Sequence, residues 1–83
     1  MAQIRMYTTQ WCGYCVRAKS LLHSRGLAFE EIDLGEDPDR AALQELTGGW
    51  TVPQIVIDDR PIGGYEELWR LDREGLLAGL VGA

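Results

Sequence analysis

The chain has 83 residues, 46% of them hydrophobic, and a formal net charge of −5. That length suits one domain, residues 1–83, with a thin core, and the apolar content excludes a disordered chain. The acidic balance argues against nucleic acid as a partner. No apolar run approaches the roughly 20 residues a membrane helix needs, and Met1-Ala2-Gln3-Ile4-Arg5 lacks a signal-peptide core, so no membrane association and a cytoplasmic location are expected.

In chain order, Gln3 to Tyr7 alternates polar and apolar residues and predicts a first strand. Gly13 to Arg25 predicts a helix with Val16, Ala18, Leu21 and Leu22 on its apolar side and Gly26 as its stop. Leu27 to Leu34 predicts a second strand anchored by Phe29 and Ile32. Asp37-Pro38 opens a second helix, with Asp37 as N-cap and Pro38 at the first helical position. It runs through Leu43 and Leu46 to Gly48-Gly49. Gln54 to Ile57 predicts a third strand, Asp58-Asp59 a turn, and Arg60 to Gly63 a fourth strand that Pro61 assigns to a sheet edge. Tyr65 to Leu71 predicts a third helix with Glu66 and Glu67 in its first turn. Leu76, Leu77, Leu80 and Val81 extend a helical stretch broken near Gly75 and Gly79.

The order β-α-β-α-β-β-α predicts an α/β fold. Its first two strands are parallel around a crossover helix, and its last two are antiparallel. The expected architecture is thioredoxin-like: a four-stranded mixed sheet with helices on both faces.

Charge is unevenly spread. Residues 1–27 contain Arg5, Arg17, Lys19 and Arg25 and no acid, whereas the remaining 56 residues hold all thirteen acids and four arginines. Both cysteines, Cys12 and Cys15, lie in the positive segment, where a thiolate is favoured. Two cysteines are too few for a disulfide-stapled fold, and a bridge between them would enclose only two residues and constrain little of the unfolded chain. Two cysteines and one histidine are too few for a structural zinc site, so His23 reads as a surface or packing residue and no metal is assigned.

The spacing Cys12-Gly13-Tyr14-Cys15 falls between a strand and a helix, the setting in which a CxxC pair carries redox chemistry. Cys12 sits at or beside the N-cap, where unpaired backbone N–H groups and the positive end of the helix dipole favour a negative sulfur. Cys15 lies one turn further on the same side. These positions make Cys12 the nucleophile and Cys15 the more buried resolving thiol, placed to attack a mixed disulfide on Cys12. Thr51-Val52-Pro53 precedes a strand, where a cis bond would present the Val52 backbone to an extended ligand. Gly63-Gly64-Tyr65-Glu66-Glu67 puts two glycines before a helix whose N–H groups can accept a carboxylate.

Taken together, these segments resemble the glutaredoxin family along nearly the whole chain, in particular the bacterial glutaredoxin 3 type. The matching pieces are Tyr7-Thr8, Cys12-Gly13-Tyr14-Cys15-Val16-Arg17-Ala18-Lys19, Thr51-Val52-Pro53-Gln54-Ile55 and Ile62 to Leu68. The resemblance implies a dithiol enzyme that uses glutathione as co-substrate to reduce protein disulfides and glutathione mixed disulfides. Its partners would be glutathione and disulfide-bonded or glutathionylated proteins. It further implies a glutathione groove in which Thr51, Val52 and a cis Pro53 pair with the tripeptide backbone. Gly64, Tyr65 and Glu66 receive its γ-glutamyl end, and Tyr14 lines the wall.

The chain departs from the family pattern at four positions. Gly13 stands where the motif usually has proline, and Glu66 where the helix start usually has Asp. Thr9 replaces a common lysine and Gly49 a common Arg or Gln, so two polar or cationic clamps are missing, and Arg17 is the residue expected to compensate. Thr8 to Cys15 also resembles mycoredoxins, which serve another small thiol, and redoxin donors to ribonucleotide reductase are a related branch. Because Gly13 lacks the rigidity of proline, a third expectation is a [2Fe–2S] carrier bridged between two chains by Cys12 of each and two glutathiones. Otherwise the chain is expected to be a monomer.

Overall fold

A computed structural model of the chain describes residues 3–10, 12–36 and 39–80. The elements run β1 (Ile4–Thr8), α1 (Gly13–Ser24), β2 (Glu30–Asp33), α2 (Arg40–Thr47), β3 (Gln54–Ile57), β4 (Arg60–Gly63), α3 (Tyr65–Arg73) and α4 (Leu76–Leu80). The four strands form one sheet in the order β2-β1-β3-β4. β1 pairs with β2 in parallel and with β3 antiparallel, and β3 pairs with β4 antiparallel. Pro61 therefore lies on an edge strand, where its missing N–H costs no ladder bond.

The strand period of two sorts side chains onto two faces. Ile4 and Met6 of β1 stand opposite Ile57 and Ile55 of β3. Together with Ala18 and Leu22 of α1, Leu68 of α3 and Leu77 of α4 they form the larger core. The alternate residues Tyr7 and Val56 face the other way and pack with Leu43 of α2. The sheet thus carries three helices on one face and one on the other, the thioredoxin-like arrangement.

The buried line of α1 is Cys15, Ala18 and Leu22, an i, i+3, i+7 stripe. Val16, expected on the apolar side, is 61% exposed, because Cys15 takes the place facing the sheet. In α2 the buried pair is Leu43 and Thr47 rather than Leu43 and Leu46, since the residue one turn on from Leu43 is Thr47. That helix is capped by Asp39, whose Oδ1 accepts from the Ala42 N–H at 3.1 Å. The expected cap, Asp37 with Pro38, lies outside the described residues, as does Val81.

β2 begins at Glu30, with Phe29 just before it on the larger core and Ile32 on the smaller. Gly75, at φ 76°, separates α3 from α4, while Gly79 lies inside α4. The β3–β4 turn holds Asp58 and Asp59 at φ 50° and 65°, the left-handed pair a two-residue hairpin requires. Arg25 at the end of α1 donates twice to Asp72 of α3, at 2.7 and 2.8 Å, which holds that carboxyl below its usual range. Among the described residues no helix is long and apolar enough to cross a membrane.

Because Leu22 is fully buried between helix and sheet and Leu46 is 60% exposed, truncating the two should differ sharply. Leu22→Ala is expected to cost about 2–5 kcal/mol, and Leu46→Ala about 0.5 kcal/mol or less. Urea denaturation midpoints of the two variants check this.

Candidate active site

Strand directions decide where the site forms. β1 ends at Thr8, β3 begins at Gln54 and β4 ends at Gly63. Since β3 runs against both neighbours, these three points lie at the same end of the sheet. The Cys12–Cys15 segment, the Thr51–Pro53 segment and the start of α3 therefore meet there.

Cys12 is the N-cap of α1, in extended conformation at φ −101° and ψ 107°. Its Sγ accepts a hydrogen bond from the Cys15 backbone N–H at 3.2 Å. Sulfur here does what a Ser or Asp oxygen does at other helix starts, satisfying one of the orphan N–H groups. Cys12 is partly exposed, and its Sγ also lies 3.7 Å from the Val52 carbonyl oxygen. Cys15 is 2% exposed. Burial, reinforced by the neighbouring Cys12 sulfur, pushes the Cys15 thiol up to about 12. The two thiols thus differ in access and environment: one caps the helix at the surface, and the other is held protonated beneath it.

The Val52–Pro53 bond is cis. Beside it opens a groove of about 730 Å³. Tyr14, Thr51, Val52, Pro53, Gly64, Tyr65 and Glu66, the seven residues singled out from the sequence beyond the cysteines, all line it. The rings of Tyr14 and Tyr65 lie 6.1 Å apart, and the Arg17 guanidinium sits 5.5 Å from the Tyr14 ring centre. Arg17 is thereby held beside the groove mouth.

Several groove residues carried no clear sequence signal. Gln54 is buried, and its side-chain amide donates to the Thr51 carbonyl at 2.9 Å. A Cβ on Gly49 would meet that amide nitrogen, so Gly49 and Gln54 share one space and a longer residue at 49 would displace Gln54. Glu67 reaches back from the third position of α3 to accept the Gly64 N–H at 2.9 Å. The spacing of a cap residue and a Glu three later was readable as half of a capping box, although Gly64 offers no side chain for the other half. His23 is exposed and packs edge-on against Phe29 at 5.3 Å, away from the groove.

Among the described residues no three His, Cys, Asp or Glu side chains gather as a metal site. A [2Fe–2S] cluster needs four ligands, typically thiolates. The chain offers one partly exposed thiol and one buried thiol, a donor set that does not hold a cluster by itself.

Fold and site together define a thiol–disulfide oxidoreductase with a two-cysteine redox centre on a thioredoxin-like frame. The glutaredoxin family model matches residues 4–62. The chain is 44% identical to a glutaredoxin of Pseudomonas aeruginosa over the full length of both. It is 43% identical to glutaredoxin 3 of Escherichia coli, covering 98% of this chain and 99% of that one. The crystal structure of a buckwheat glutaredoxin–glutathione complex superposes with a TM-score of 0.87 at 30% identity, covering 98% of this chain and 77% of that one. The chain belongs to the glutaredoxin family, near the bacterial glutaredoxin 3 type, and is an enzyme of that kind.

The buried thiol makes stability depend on alkaline pH. In the denatured chain Cys15 ionises near the ordinary thiol value of about 8.5, whereas in the fold its value is about 12. Its contribution is complete below pH ~8.5 and is lost as pH rises toward 12, where the unfolded state holds fewer protons. Between pH 8 and 10.5 the reduced protein should lose about 2–3 kcal/mol more stability than Cys15→Ser. Urea midpoints under reducing conditions check this.

Proposed function

We propose that the reductant is glutathione, bound in the groove, and that the enzyme reduces both glutathione mixed disulfides and protein disulfides. The observation that carries this reading is the position of the Cys12 sulfur, 3.7 Å from the Val52 carbonyl at the edge of the groove. A glutathionyl group on that sulfur would extend along Thr51, Val52 and Pro53 toward Gly64, Tyr65 and Glu66, with Tyr14 as one wall. The glutathione named with the buckwheat relative supports the same choice of ligand.

In this reading Cys12 attacks and Cys15 resolves. Deglutathionylation needs one thiolate: Cys12 takes the glutathionyl group, the former partner leaves as a thiol, and a second glutathione releases oxidised glutathione. Reduction of a protein disulfide instead leaves the protein tethered to Cys12 until Cys15 attacks. Glutathione then regenerates the dithiol. One chain supplies both thiols and the groove, which supports a monomer as the working unit. A glutathione-regenerated donor also needs a reducing thiol pool, which makes the cytoplasm its proposed location.

Cys12→Ser should lose both activities. Cys15→Ser should keep substantial deglutathionylation while losing most protein-disulfide reduction and accumulating a mixed disulfide. The two variants, assayed with glutathione on a glutathionylated peptide and on a disulfide-bonded protein, test the reading. Equal loss of both activities in Cys15→Ser, or retained activity in Cys12→Ser, would overturn it.

A further inference from the structure

A buried thiol is a poor nucleophile until it loses its proton, and Cys15 is 2% exposed. Resolution of a tethered protein nevertheless requires this sulfur to become negative. Lys19 lies one turn beyond Cys15 on α1, at the i, i+4 spacing that makes side chains neighbours on a helix.

Lys19 is held in place from the sheet. Its Nζ donates to Glu31 Oε2 at 3.0 Å, and the same oxygen accepts from the Thr8 hydroxyl at 2.8 Å. Thr8 is 1% exposed. It ends β1, the strand that leads into the cysteine segment, while Glu31 sits in β2 opposite Met6. Met6 points to the larger core, so Glu31 stands on the sheet face that α1 covers. Three elements thus meet at one carboxylate oxygen of Glu31, which fixes the Lys19 ammonium. Both partners act on Glu31, the Thr8 hydroxyl first and then Lys19, and hold its carboxyl below the usual range. Among the charged groups around Cys15, Lys19 is the one that favours its ionised form, joined by the backbone N–H of Thr9, while the Cys12 sulfur opposes it.

We propose that Lys19, held by Glu31, which the Thr8 hydroxyl holds in turn, is a positioning residue for the resolving step: a fixed positive charge one turn from Cys15 that favours its attack on the mixed disulfide. The proposal rests on the reading of Cys15 as the resolving thiol. In that step Cys15 gives up its proton to solvent and its sulfur bonds to the Cys12 sulfur. The bond from Cys12 to the substrate sulfur breaks, and the electron pair leaves with the substrate thiolate, which takes up a proton. The chain is oxidised to the Cys12–Cys15 disulfide, the substrate is reduced, and two glutathiones later restore the dithiol. Lys19 keeps its own proton throughout.

The readout is the ratio of protein-disulfide reduction to deglutathionylation, since only the first uses Cys15. Lys19→Gln should lower that ratio by roughly three- to tenfold, the effect of removing one partly screened charge a helical turn away. Lys19→Arg should restore it, and Arg60→Gln, which removes an exposed charge elsewhere, should leave it at the wild-type value. Cys15→Ser is assayed beside them. A ratio lowered in Cys15→Ser but unchanged in Lys19→Gln would overturn this proposal alone, as would a failure of Lys19→Arg to restore it or an equal fall in Arg60→Gln. A ratio unchanged in Cys15→Ser would overturn the reading of Cys15 and this proposal with it.

Discussion

The hydrogen bond from the Cys15 N–H to the Cys12 sulfur, at 3.2 Å, is the contact on which the site depends. It makes Cys12 the cap of α1 and ties its sulfur to the N-terminal end of that helix. The same turn of helix that donates this bond directs the Cys15 side chain inward, into line with Ala18 and Leu22. One geometric fact therefore gives two chemically different thiols three residues apart.

The sheet makes that arrangement usable. Antiparallel pairing of β3 with both β1 and β4 brings the end of β1, the cis Val52–Pro53 bond and the start of α3 to one end of the molecule. Helices on both faces hold the sheet, and the Arg25–Asp72 pair ties α1 to α3, the two helices whose N-termini border the groove. The groove beside Cys12 thus has walls set by the core of the fold.

Much of this was legible in the sequence, and the reason is local chemistry. β-branched Ile55, Val56 and Ile57, the Asp58-Asp59 turn and Pro61 placed β3 and β4 with their observed bounds. The CxxC spacing at a strand–helix junction marked the redox pair. What escaped were choices settled by tertiary packing. Val16 and Leu46 are apolar but exposed, because Cys15 and Thr47 occupy the inward positions of their helices. The sharing of one space by Gly49 and Gln54 joins residues whose contact depends on the path of the Thr51–Pro53 segment. The Lys19–Glu31–Thr8 cluster joins α1, β2 and β1, and no spacing along the chain announces it.

The central claim is that the capping sulfur attacks and the buried one waits. Limited alkylation of the fully reduced protein with less than one equivalent of iodoacetamide at pH 7, followed by peptide mapping, tests it directly. The label is expected on Cys12, with Cys15 unmodified until the fold is denatured. Label on Cys15 in the native protein, at a rate equal to or above that of Cys12, would contradict the assignment of the two thiols.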